Sequence, residues 1–138
     1  FLIWSGKENT AMMAGSIADG VAAAGGEAEL ITVDQASVDA LKDASVIALG
    51  CPSMGAEQLE ETQMEPFMCE LDGVIAGKQI ALFGSYGWGN QEWMRDWEDR
   101  IVADGATVVN GEGIAVNGTP GPDAEDELKA LGQTLASL

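Results

Sequence analysis

The run Gly84-Ser85-Tyr86-Gly87-Trp88-Gly89 follows the apolar stretch from Gln79 to Phe83 and precedes an amphipathic, Trp-rich segment. Its glycines let the backbone approach a flat ligand closely, and the Trp88 indole offers a broad face for stacking. A Trp between two glycines in a polar stretch is poorly placed for core packing, which points to ligand stacking. The chain has no His, which removes the commonest general base near neutral pH and rules out a Ser-His-Asp or Cys-His relay. Cys51 and Cys69 are far apart, with no CxxC and no second ligand cluster, so zinc and iron–sulfur sites have no support. Two isolated thiols in an apolar setting point to a reducing compartment. No catalytic residue and no metal ligand is assigned.

The elements that must position this loop follow from hydrophobic spacing. Leu2, Ile3 and Trp4 form a short strand, followed by Ser5-Gly6-Lys7-Glu8-Asn9-Thr10 and a helix with Met13, Ile17, Val21 and Ala24 on one face, stopped by Gly25-Gly26. A second strand contains Ala28, Leu30, Ile31 and Val33, and Val38, Leu41 and Ala44 suggest a short helical turn. The run Val46 to Leu49 reads as a strand buried on both faces. Met64, Phe67, Met68 and Leu71 space a helix, Gly77 introduces the strand from Gln79 to Phe83, and Trp93, Trp97, Ile101 and Val102 space the next helix. Thr107 to Val109 and Ile114 to Val116 read as one interrupted edge strand, and Leu128, Leu131, Leu135 and Leu138 as the stripe of a closing helix. Strands alternating with helices on buried runs call for a parallel sheet with helices on both faces, in one domain spanning residues 1–138. Ligands of such sheets sit beyond the carboxyl ends of the strands, where residues 5–10, 51–57 and 84–90 are expected to converge.

Two strings are specific in both content and separation. One is Gly50-Cys51-Pro52-Ser53-Met54-Gly55-Ala56-Glu57 with Glu60-Glu61 and Glu65-Pro66-Phe67 downstream; the other is Phe83-Gly84-Ser85-Tyr86-Gly87-Trp88-Gly89 followed by Trp93-Met94-Arg95-Asp96. On these the chain resembles the flavodoxins, in particular the short-chain clostridial type, almost end to end. The resemblance implies a flavodoxin-like three-layer α/β sandwich, a five-stranded parallel sheet of order 2-1-3-4-5, and FMN as the redox cofactor.

In the first loop the family pattern is Ser or Thr, x, Thr, Gly, Asn, Thr. Ser5, Asn9 and Thr10 match it, Gly6 fills the free position, and Lys7 and Glu8 replace Thr and Gly. Hydroxyls and backbone N–H groups at a helix N-terminus surround a phosphate without a full charge. Glu8 repels a phosphate and Lys7 compensates, so a weaker FMN affinity is expected. Taken alone, the same stretch reads as a helix start capped by Thr10. In the second loop the resemblance puts Met54 against one face of the isoalloxazine and Glu57 at its N3 edge. Taken singly, those two read as core filler and a solvated charge. The resemblance also gives Gly55 a peptide that flips to accept a hydrogen bond from reduced N5, with Ala56 where a polar residue is common. In the third loop it puts Trp88 over the outer face, with Tyr86 and the Gly87 and Gly89 backbone beside it, and Ser53 and Ser85 as ribityl or phosphate-side contacts. Trp4 reads as core approaching the ribityl chain, and Trp93 and Trp97 read as core.

The function implied is a low-potential electron carrier that shuttles single electrons between redox enzymes and has no substrate of its own. Two alternatives are a flavodoxin-like binding or regulatory domain with weakened or lost FMN binding, and a small flavin-dependent quinone reductase. Twenty-three acidic residues against six basic ones give a net charge of -17, which repels nucleic acid and anionic membrane surfaces and steers basic-faced redox proteins toward the chain. With no apolar stretch long enough to span a bilayer, and first residues that read as a strand rather than a signal peptide, a cytoplasmic monomer is expected.

Overall fold

The computed structural model describes residues 2–4, 8–36, 38–41, 44–51, 64–86, 92–117 and 121–137. The apolar runs form strands β1 (Leu2–Trp4), β2 (Leu30–Thr32), β3 (Val46–Gly50), β4 (Gln79–Tyr86), β5 (Thr107–Val108) and β6 (Ile114–Asn117). With them alternate helices α1 (Glu8–Ala23), the single-turn α2 (Val38–Leu41), α3 (Met64–Leu71), α4 (Glu92–Ala103) and α5 (Pro122–Ala136). The described strands pair in parallel in the order β2-β1-β3-β4-β5. β5 pairs with Gln79 and Ile80, while β6 pairs with β4 from Phe83 to Tyr86, so the two share one edge position as the interrupted strand.

Period-two alternation sorts the strand side chains onto two faces. Ile3, Ile47, Leu49, Ile80 and Leu82 pack under α3 and α4, which bury Met64, Phe67, Met68, Leu71, Trp93, Met94, Trp97 and Ile101. Leu2, Ala48, Ala81 and Phe83 pack under α1 and α5 with Met13, Ala14, Ile17, Leu128 and Leu131. The result is the three-layer sandwich. α1 and α5 cross with their backbones in contact: a β-carbon at Gly20 would overlap the Lys129 carbonyl, and one at Gly132 the Ile17 carbonyl.

On the opposite face, Arg100 of α4 ties down α3. Its guanidinium donates to Asp72 through Nε at 3.0 Å and through a second nitrogen at 2.6 Å, and to Glu65 at 2.6 Å. Burial works against the charged form of Asp72, but hydrogen bonds from Arg100 and with Asp104, together with the Arg100 charge, hold its carboxyl below the usual range. Asp104 is pushed up to about 6, by burial first and then by the hydrogen bond with Asp72 and its negative charge. As a carboxylate, Asp104 leaves its buried Oδ2 without a hydrogen-bond partner among the described residues. Two carboxyls bond to each other only when one is protonated, and the proton belongs on Asp104.

Several sequence expectations need correction. β4 does not stop at Phe83 but continues through Gly84, Ser85 and Tyr86, because β6 supplies that stretch with a backbone partner. Val102 is 62% exposed, since Trp93, Trp97 and Ile101 already define the buried line and the next residue is turned about 100° away from it. Ala24 lies in the turn after α1 and is exposed, Leu30 is exposed on the edge strand, and Cys69 is an exposed thiol, whereas Cys51 is buried. Leu135 is half-buried, and Leu138 lies outside the described residues.

Candidate functional site

In a parallel sheet every strand presents its carboxyl end to the same edge, and β1, β3, β4 and β6 end there at Trp4, Gly50, Tyr86 and Asn117. α1 begins at Glu8 beyond the end of β1, so its unpaired N–H groups and the positive end of its dipole belong to this edge. Glu8 and Asn9 occupy its first turn. Thr10 is 1% exposed and Ser85 7% exposed, and their hydroxyl oxygens lie 3.4 Å apart although 75 residues separate them in sequence. The start of α1 and the end of β4 therefore meet. Two buried hydroxyls beside a helix N-terminus form a neutral donor set suited to a phosphate monoester.

Ser85 is buried although it belongs to the polar stretch that the sequence marks as a loop. It stands on the strand that carries the chain toward Gly87, and Tyr86, the last residue of that strand, is half-buried. The Tyr86 ring lies 5.7 Å from the Trp93 ring, with the planes tilted by 51°. Trp4 is half-buried and packs against the α1–α5 face of the core. Ser5, Gly6 and Lys7, then Ser53, Met54, Gly55, Ala56 and Glu57, then Gly87, Trp88 and Gly89 lie outside the described residues. Their assignments rest on sequence, together with the strand ends from which they depart.

Two features of this edge escaped the sequence. Gly84 reads as room for a ligand, but it is needed by the protein itself: a β-carbon there would overlap the Cys51 carbonyl and crowd the Trp93 ring. The Trp93 indole, read as packing alone, also donates its N–H to the Cys51 carbonyl at 3.3 Å. No local pattern announces either contact, since the partners are distant in sequence. No group of His, Cys, Asp and Glu able to hold a metal ion occurs among the described residues, and none of their helices is long and apolar enough to cross a membrane.

The flavodoxin family model matches residues 2–132. The flavodoxin of Megasphaera elsdenii is 44% identical over 133 residues, covering 96% of this chain and 94% of that protein. The flavodoxin of Clostridium beijerinckii is 42% identical over 136 residues, covering 98% of this chain and 96% of that one. The solution structure of two-electron reduced M. elsdenii flavodoxin superposes with a TM-score of 0.87 at 40% identity, over 100% of both chains.

Proposed function

This chain belongs to the flavodoxin family of FMN-containing, low-potential electron carriers, and we propose that it grips FMN at the carboxyl edge of its sheet by two separate means. The flavin supplies the redox chemistry, and the protein is an electron-transfer protein rather than an enzyme. The phosphate belongs to Ser5, Gly6, Lys7, Glu8, Asn9 and Thr10 at the start of α1, with Ser53 and Ser85 alongside. The ring belongs to Met54, Gly55, Ala56 and Glu57 on one side and to Tyr86, Gly87, Trp88 and Gly89 on the other. The observation that carries this reading is the meeting of Thr10 and Ser85, which joins the end of the first stretch to the start of the third.

The residues act on the flavin by excluding water and by charge. An apolar Met54 and Trp88 on the ring faces disfavour added negative charge there, and a field of -17 net charge acts in the same direction, lowering the potential. The partners are redox proteins. We read them as basic-faced, docking transiently and with strong salt dependence, and the whole of residues 1–138 as one monomeric cytoplasmic domain.

Trp88→Ala tests the ring assignment. Loss of one stacking face is worth about 1 kcal/mol, so FMN binding is expected to weaken about fivefold and the potential of the fully reduced couple to rise. Unchanged affinity and potential in a fluorescence-quenching titration and a redox titration would remove Trp88 from the site.

A further inference from the structure

One buried side chain touches the stems of both ring loops, and it lies outside the site as assigned above. Trp93 is 1% exposed. Its Nε1–H donates to the carbonyl of Cys51, the residue that precedes Pro52 and Ser53. Its ring packs at 51° against Tyr86, the residue that precedes Gly87 and Trp88. Gly84 closes another side of the same carbonyl, where no side chain fits between β4 and Cys51. The Cys51 amide in turn donates to the Phe83 carbonyl at 3.1 Å, so this peptide is held from β4 as well as from α4.

We propose that Trp93 is a positioning residue for FMN: from one helix, it fixes the Cys51 carbonyl and the Tyr86 ring and so sets the two ring-holding loops relative to each other. This rests on the assignment of residues 53–57 and 87–89 to the flavin ring. A residue needed only to fill the core contributes through its volume. Trp93 adds a directed N–H bond at the root of one loop and an aromatic contact at the root of the other. A loop whose stem is fixed before binding loses less freedom when the ring enters, so the bond acts on flavin affinity as well as on folding.

The test replaces Trp93, in the full chain, with 3-benzothienylalanine, which keeps the bicyclic shape and puts sulfur where the N–H was. 5-Fluorotryptophan at the same position keeps the N–H and serves as the rescue, and Trp93→Phe is the second variant. FMN and riboflavin are titrated separately, well below the melting temperature of each apoprotein; riboflavin has no phosphate and reports the ring loops alone. The expected result is a rise of about fivefold in Kd for both flavins with 3-benzothienylalanine, at least as large a rise with Trp93→Phe, and wild-type values with 5-fluorotryptophan. A rise below twofold for riboflavin with 3-benzothienylalanine, whatever happens to the melting temperature, overturns the proposal and leaves Trp93 as packing. Trp88→Ala in the same series separates the two claims. If it weakens both flavins while 3-benzothienylalanine does not, only the role of Trp93 fails; if it weakens neither, the ring assignment fails first.

Discussion

The two helix layers are built in opposite ways: α1 and α5 meet where side chains are absent, and α3 and α4 meet through large ones. Gly20 and Gly132 let two helix backbones touch, with no β-carbon between them. Trp93 and Trp97 fill the other face, and each finds an acceptor for its N–H, the Cys51 carbonyl and the Met68 sulfur at 3.4 Å. In the site proposed above, each face carries one half of the cofactor contacts. A phosphate needs donors at fixed points, and a helix held by backbone contact keeps its N-terminus in place without relying on rotamers. A flat ring needs loops held at the right separation, and bulky side chains with one polar handle suit that task.

The strongest way to break this contrast is Trp97→Ala, which empties the indole-filled face and is expected to lower stability by about 4 kcal/mol in denaturant unfolding of the apoprotein. Gly132→Ala attacks the other face. Backbone against backbone cannot yield as a side chain does, so a loss of about 3 kcal/mol is expected. Because the displaced helix is α1, FMN affinity should fall more than riboflavin affinity. Equal losses for the two flavins would show that the faces do not divide the ligand between them. Lys7→Thr with Glu8→Gly sharpens the phosphate side by restoring the family pattern, and FMN is expected to bind about tenfold more tightly, roughly 1.4 kcal/mol. Equal or weaker binding would mean that the two residues are adapted to the ligand.

The smallest effect concerns the tie between α3 and α4. Asp104 has its folded pKa raised, so its contribution to stability is complete below its unfolded value of 3.8 and is lost as pH rises through about 6. Asp72 is lowered, so its contribution is present above 3.8 and is lost as the pH falls through its lower folded value. Asp104→Asn keeps a donor for Asp72 at every pH. Thermal melts should show the variant more stable than wild type above pH 6, by about 1 kcal/mol after allowance for solvent screening, with the gain vanishing near pH 4. A gain independent of pH would take Asp104 out of this role.

Much of this was legible where periodicity and burial agree. Met64, Phe67, Met68 and Leu71 are the buried residues of α3, as their spacing predicts, and the interrupted edge strand appears as β5 and β6. Strand order came from the family resemblance, since parallel pairings join residues far apart and leave no local trace. The same limit explains the missed end of β4, whose last residues are strand only because β6 lies beside them. Glycines misled in a different way. Gly84 is equally consistent with an approaching ligand or an approaching backbone, and only the position of the Cys51 carbonyl decides. Within the site, residue types pointed to a stacked ring, and the strings pointed to FMN. The meeting of Thr10 with Ser85 and the bond from Trp93 depend on the folded geometry.

The split edge strand has a consequence for how this chain tolerates change in length. β5 and β6 are each registered against β4 on their own, by different residues, so neither register depends on the count of residues between them. Gly111 and Glu112 in that interval are exposed, and a β-carbon at Gly111 would meet nothing within 4 Å, although its φ of 80° favours glycine. Extra residues inserted there would project into solvent while both ladders stayed in place. The break is thus a natural point of growth, at which an added hairpin or a reporter peptide can be accepted without disturbing the edge proposed to carry the flavin.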